Sequence, residues 1–488
     1  MRRRTSPGFA EWLFVTFAIT GALLIFYQLY QYGSARELFP VGLEVAGVDV
    51  GGLSRAEAER RLIERYLNTP IIVYHRRQMV DVMPSRAEFR LNMEAMMVRA
   101  LQERDQQDYW AGFWGYLWGR SIDVSPVPLD ATHNEVALRE TLRIIADQFD
   151  TPPLPPSPSG SSMSFQYGDP GVRTVLDASL PNVAAAFYRQ RAREAHLTLE
   201  VVPVDRPTIN LLATLLTNTI QEFQARSGGI AGIHVIDLAT GQEISNNARL
   251  PLTGTGVLKI PVMLETVRFL GHDLPVVAEE WLRSAATEMD SESANELLRI
   301  IAGQEKAEPG VAQVNGLMQA LGLENSYLGC PFGAAERECE RYRTPANEIG
   351  SPLTAPDPFW QTTAEDMAVL LAQLHYCAVG DAGTLRVIYP DLSADLCARL
   401  LDIMATNRIG SLIEQGVPPG VILPHRHAWQ TDLYIDAGIV YSAGGAYVVV
   451  IYAHKPGWLA WEEASPLIAD LSRGVYNYFN FDNPWLSR

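Results

Sequence analysis

The sequence contains no long run of lysine or arginine. Its 39 basic side chains face 56 acidic ones, for a formal net charge of −17 over 488 residues. It therefore lacks the basic footprint that nucleic-acid binding needs to displace counterions, and nucleic acid is excluded as a partner. Cysteine is sparse, at four residues, and no CxxC or Cys/His spacing offers a metal site. No metal and no cofactor is expected. No repeat of the solenoid kind recurs along the chain. What is present is an ordinary globular composition, 47% hydrophobic and 19% charged, in a chain long enough for two or three domains with substantial cores.

Charge is also missing from one local stretch. Trp12 to Tyr30, "WLFVTFAITGALLIFYQLY", is uncharged and almost wholly apolar. As a helix it would span roughly 28 Å, close to the hydrocarbon thickness of a bilayer. Trp12 at one end and Tyr27 and Tyr30 at the other suit the two interfaces. The preceding "MRRR" should stay in the cytoplasm and place everything after Tyr32 outside. The alternative is a cleaved signal peptide with its site at Gly33–Ala35. The length of the apolar run and the bulky residues around that site favour a retained anchor. Residues 1–36 are thus expected to form a cytoplasmic tip and a transmembrane anchor, with the bulk of a single-pass protein extracytoplasmic. In an oxidising compartment, Cys330 and Cys339 could close the loop "CPFGAAEREC", and Cys377 and Cys397 lie near the ends of two successive helical segments. Two local disulfides are expected, although four cysteines allow three pairings.

After the anchor, "VGLEVAGVDVGGLSRAEAERRL" gives a short strand, a Gly-Gly turn and a helix capped by Ser54, with Glu57 at the capping-box position. A strand-like "PIIVYHRRQMVDV" and a helical segment from Asn92 to Arg120 follow. Trp110, Trp114 and Trp118 recur in that segment at helical spacing. Such a stripe either packs against a core or faces a membrane or a glycan. The motifs "GVDVGGLSRAEAERRL" and "GDPGVRTVLDASLPNVAAAF" resemble the peptidoglycan-binding domain found ahead of VanW-type domains. The resemblance covers residues 37–205. The Pro-rich stretch 151–162 is expected to join two halves of that module.

From Pro207 the pattern changes to a helix, a strand pair, a long helical insert, a hairpin around Ser442–Gly445 and a closing amphipathic helix. An α+β fold is expected, with an antiparallel sheet flanked by helices and a helical subdomain. That order, with "KIPVML" and "DAGIVY", resembles class A β-lactamases and the related penicillin-binding D,D-peptidases over residues 207–488. The resemblance implies three motifs, S-x-x-K, S-D-N and K-T-G.

Each motif is degraded. The first reads Gly256-Val257-Leu258-Lys259, so the lysine that would accept the nucleophile's proton is kept and the nucleophile is not. Thr253 and Thr255 are the nearest hydroxyls, and Thr255, one helical position away, is the only fallback nucleophile. In "MDSESANELL", aligned on Asn295, Met289 stands where a proton-shuttling serine belongs, Asp290 is kept and Ser291 replaces asparagine. A thioether cannot relay a proton. In "PHRHAW", Arg426, His427 and Ala428 fall on K-T-G. His425 and His427 share one sheet face, but no third ligand accompanies them. Arg343 falls where class A enzymes carry a water-activating glutamate.

Lys259 and Asp290 are therefore read as a retained ion pair in a site without chemistry. The implied ligand positions are Gly256, Ser291, Asn295, Arg426, His427 and Trp429, with main-chain N–H groups of Gly256 and Trp429 as oxyanion donors. Arg426 would hold a substrate carboxylate. The expected function is a membrane-anchored, cell-wall-associated protein acting by noncovalent binding or scaffolding. Its partners would be peptidoglycan or its stem peptides, or a cell-wall enzyme. The alternative is an active serine hydrolase, either a β-lactamase or a D,D-peptidase.

Overall fold

Residues 9–105, 108–118, 124–254, 256–348, 353–380 and 383–486 are described by a computed structural model of the chain. They form two compact units, Met1–Leu154 with Asp169–Pro203 and Pro155–Gly168 with Val204–Arg488.

The first element among the described residues of the first unit is the helix Phe9–Ala35. Its Trp12–Ala35 stretch has a mean hydropathy of 1.8 and is long and apolar enough to cross a membrane. The arginines of "MRRR" lie outside the described residues. Beyond the helix, Ser54 and Glu57 form the expected capping box on helix Arg55–Ile63. Strand Ile71–His75 pairs antiparallel with Gln78–Val82 and parallel with Glu194–His196. Helices Arg55–Ile63, Met93–Asp105, Glu135–Phe149 and Leu176–Phe187 contribute Leu62, Met96, Met97, Leu138, Leu142, Val183 and Phe187 to one buried core. Within the segment read as one helix from Asn92 to Arg120, the described residues form two, Met93–Asp105 and Tyr109–Leu117, and residues 106–107 and 119–120 lie outside the described residues. Asp108 caps the second, its carboxylate accepting from the N–H groups of Trp110 and Ala111.

The second unit is built on a five-stranded antiparallel sheet. Its spatial order is Glu243–Asn246, Ile230–Asp237, Gly445–His454, Leu433–Ser442, His425–Trp429. Both faces are buried, and alternate residues feed separate cores. Val448, Val450 and Tyr452 join one core, and Tyr447, Val449 and Ile451 the other. The terminal helices Ile209–Ser227 and Trp461–Phe479 cover the second face. The first face receives a helical subdomain around Lys259–Leu270, which is buried from Lys259 through Val267. Cys330–Cys339 and Cys377–Cys397 are disulfide-bonded.

The Pro-rich stretch departs from expectation. Ser157–Ser159 and Ser164–Gln166 form a hairpin that groups with the second unit, not with the module on either side of it in sequence. Met163 and Phe165 are its buried anchors, in the same core as Leu215, Leu216 and Phe223. Asn477 donates to the Met163 carbonyl at 2.8 Å, and the Tyr167 hydroxyl donates to the Phe481 carbonyl at 2.6 Å. Two apolar side chains among serines, prolines and glycines were enough to seat a segment whose composition reads as a linker.

Candidate functional site

Four pieces of the second unit meet at the candidate site: the turn Gly256–Leu258 that leads into helix Lys259–Leu270, the C-terminal end of helix Val276–Thr287, the turn that starts helix Glu292–Ala302, and edge strand His425–Trp429. The first turn is wound tighter than an α-helix. Lys259 N–H donates to the Gly256 carbonyl at 3.3 Å, and Ile260 N–H to that of Val257 at 3.0 Å.

Gly256 is buried in this turn, hard against the edge strand. A Cβ at position 256 would stand 2.2 Å from the Ala428 Cβ, 3.1 Å from the Ala428 Cα and 3.2 Å from the His427 carbonyl oxygen. Ordinary carbon contacts lie at about 3.5–4.0 Å. Any side chain at 256 therefore forces the turn away from Ala428, which itself stands where the third motif has glycine. The lost nucleophile and the gained methyl are two halves of one packing contact. Thr255 lies outside the described residues. The Thr253 hydroxyl is engaged, accepting from the Asp357 N–H at 2.8 Å.

Lys259 is buried, and its three ammonium donors find three acceptors. These are the Glu288 carbonyl at 2.9 Å, the Asp290 carbonyl, and the Ser293 hydroxyl at 3.2 Å. Burial, with Arg426 nearby, lowers its pKa from 10.5 to about 8, against the opposing pull of Asp290. The ion pair with Asp290 is long, at 3.9 Å. Asp290 serves mainly as a helix cap: its carboxylate accepts from Ser293 N–H at 2.6 Å and from the Ser293 hydroxyl at 3.2 Å. Burial works to raise its pKa, but these bonds and Lys259 bring the net shift below the usual value.

Arg426 is completely buried. Its guanidinium donates to the Glu288 carbonyl at 2.6 Å and the Ala286 carbonyl at 3.4 Å, and it approaches the Met289 sulfur at 3.6 Å. Burial lowers its pKa to about 10. Two cations thus converge on the carbonyl of Glu288. That carbonyl and Ala286's belong to the C-terminal turn of helix Val276–Thr287, where main-chain oxygens lack helical partners and the helix dipole is negative. The backbone accommodates both positive charges. Arg426 points at protein carbonyls, and the position expected to grip a ligand carboxylate has no solvent-exposed surface.

His427 is buried and, with desolvation dominating, its pKa is pushed down to about 4. Asn407 Nδ2 lies 3.0 Å from Nδ1. With the amide donating, the neutral ring carries its proton on Nε2. The ring stacks on Trp429 at 5.0 Å between centroids. His425 and His427 meet at Asn407 rather than at a common open point: Asn407 Nδ2 also donates to the His425 carbonyl at 3.1 Å, and His425 Nδ1 lies 2.9 Å from Asp436. Ser291 is exposed at the start of helix Glu292–Ala302 and makes no capping bond there. Asn295 uses both ends of its amide on Phe332, donating to its carbonyl and accepting from its N–H, each at 2.9 Å. Phe332 lies in the loop closed by Cys330–Cys339. Arg343 is exposed. Among the described residues, Met289 and Trp429, 39% and 40% exposed, reach the surface of the site, with Asp290 and Ser291 beside them.

Residues 267–479 match the model of the Beta-lactamase enzyme family. The matched stretch lies within the second unit, whose domain is β-lactamase-like. The matched stretch begins after Lys259 and takes in the second and third motif positions. Among solved structures, this chain is similar to a β-lactamase from Sphaerobacter thermophilus, at 16% identity and a TM-score of 0.42 over 55% of this chain and 98% of that one. PBP-A is similar at 20% identity and a TM-score of 0.41, over 57% and 99%. A β-lactamase from Streptosporangium roseum gives 18% and 0.41, over 55% and 99%. No curated protein matches the chain.

Sequence reasoning brought together Gly256, Lys259, Asp290 and Arg426, and the β-lactamase-like domain does the same. It missed three participants. Ala428 was noted only as a degraded glycine, not as the group that fills position 256. The Ser293 hydroxyl reaches the ammonium, but it is fully buried and held by Asp290. The carbonyl of Glu288 has no side-chain signature at all.

Proposed function

We propose that this chain is a membrane-anchored, extracytoplasmic, cell-wall-associated protein whose β-lactamase-like domain has lost serine acyl transfer and serves as a noncovalent scaffold. The observation that carries this reading is the 2.2 Å approach of the Ala428 Cβ to the place a side chain at 256 would begin. An acyl-enzyme needs a hydroxyl carried on a Cβ at that place, and the Ala428 methyl crowds the position of the Cβ itself. Removal of a serine hydrolase's nucleophile typically costs up to ~10⁶ in turnover, and Met289 provides no relay even if another hydroxyl substituted. The two disulfides suit an oxidising compartment. The apolar helix Phe9–Ala35 supports anchoring, and the preceding arginines support the outward orientation.

The inward-facing Arg426 and the amide of Asn295, committed to Phe332, favour scaffolding over a pocket for stem-peptide carboxylates. Under this reading, contact with peptidoglycan falls to the N-terminal unit, and a cell-wall enzyme is the proposed partner of the C-terminal one. A second reading, an active hydrolase, has one observation in its favour: an amine whose pKa is held down to about 8 is suited to act as a base. Nitrocefin hydrolysis separates the two. The scaffold reading expects no turnover by the natural chain, and none by Gly256→Ser alone, because Ala428 obstructs the new side chain and Met289 blocks the relay. Rapid turnover by either protein overturns it.

A further inference from the structure

We propose that helix Tyr109–Leu117 is a second membrane contact, lying in the outer interface of the bilayer beside the point where the anchor helix emerges. The inference rests on the reading of Phe9–Ala35 as a transmembrane helix. Its basis is that the two helices are packed together within the same unit.

Tyr32 lies two residues beyond the end of the apolar run Trp12–Tyr30, about 3 Å further along the helix axis. Its ring is surrounded by three rings of the second helix: Tyr109 at 5.4 Å, Phe113 at 5.6 Å and Tyr116 at 5.5 Å between centroids. Arg36 sits over the face of Tyr109 at 5.1 Å. Tyr32 is buried by this cluster. The contact fixes the depth of the second helix: it must lie at the level where the anchor leaves hydrocarbon and meets the headgroups.

The face that does not touch Tyr32 is apolar and open. Trp110 is 58% exposed, Trp114 51% and Trp118 73%. At four-residue steps these indoles advance by about 40° each around the axis, so all three point into one sector. From Tyr109 to Trp118 the chain has no charged residue. Three tryptophans, each more than half exposed, at the headgroup level of a spanning helix have the amphipathic shape of an interfacial belt, ring in the acyl boundary and N–H toward water. Continuity with the anchor selects lipid as the occupant over a glycan strand.

The test uses the full chain reconstituted into phosphatidylcholine vesicles with brominated acyl chains, which quench tryptophans in contact with them. Of ten tryptophans, Trp12→Phe leaves nine, three of them on this helix. Brominated lipid should remove roughly a third of that variant's emission, and the loss should vanish once Trp110→Phe, Trp114→Phe and Trp118→Phe are added. The chain with only those three substitutions keeps Trp12, whose quenching reports the anchor separately. Quenching of Trp12 without quenching of the other three overturns the interfacial helix and leaves the anchor standing. Quenching of neither overturns both. Emission that ignores brominated lipid but changes on addition of N-acetylglucosamine oligomers assigns the face to glycan and also overturns the proposal.

Discussion

Gly256→Ala is the sharpest perturbation of the site. The added methyl would stand 2.2 Å from the Ala428 Cβ, so the turn and the edge strand must part by roughly 1.5 Å to restore an ordinary carbon contact. Both methyls are fixed directly to the backbone and neither can rotate away. The cost should fall at the upper end of the ~1–3 kcal/mol typical of overpacking. Ala428→Gly alone should cost about 1–2 kcal/mol, from a lost buried methyl and the added freedom of glycine in a strand. In the double variant the clash is gone. The remaining neighbours, Ala428 Cα at 3.1 Å and the His427 carbonyl at 3.2 Å, need shift by only a few tenths of an ångström. The double variant should therefore lie within about 1 kcal/mol of Ala428→Gly, giving a favourable coupling of about 2 kcal/mol. Urea midpoints of the detergent-solubilised chain, compared at constant slope, provide the assay. A neutral Gly256→Ala, or strict additivity, refutes the packing argument.

Other consequences can be measured in the same way. The lowered pKa of Lys259 means that the unfolded chain binds its proton more tightly than the folded one between pH 8 and 10.5. Stability from this group should thus rise with pH across that window, by about 3 kcal/mol in total. The rise should be absent from Lys259→Met, and a wild-type profile parallel to that of the variant contradicts it. Asp436→Asn should cost about 1–3 kcal/mol by calorimetry, because it disturbs the carboxyl contacts with His425 Nδ1 and the Ile413 N–H where both side chains are fully buried. An unchanged unfolding midpoint would show that these buried contacts do not depend on Asp436. Replacing Cys377 and Cys397 together by alanine should cost about 3 kcal/mol, the loop-closure value for a separation of 20 residues. An unchanged unfolding midpoint speaks against a stabilising crosslink.

The architecture of the C-terminal unit was legible because its signals are local: alternating strands, a Gly-rich hairpin turn and an amphipathic closing helix. So were the capping box at Ser54 and Glu57 and the two short-range cysteine pairs. The absence of a side chain at 256 needed only a residue name. What filled the space did not follow from local signals, since Gly256 and Ala428 meet only through tertiary packing. The direction of Arg426 was equally hidden. Its charge matches a ligand-holding lysine, yet main-chain carbonyls at the end of helix Val276–Thr287 claim it. At residues 155–168, composition was misleading because two buried side chains outweighed the prolines and serines around them. In the segment 92–120, helical periodicity ran past the position where Asp108 caps a separate second helix.

Covalent labelling tests the central claim most directly. The full chain is incubated with a fluorescent penicillin, denatured, and analysed by intact mass and peptide mapping. The account predicts an unchanged mass and no labelled peptide. A penicilloyl adduct on Thr255, Ser293 or any other hydroxyl of the β-lactamase-like domain would contradict it.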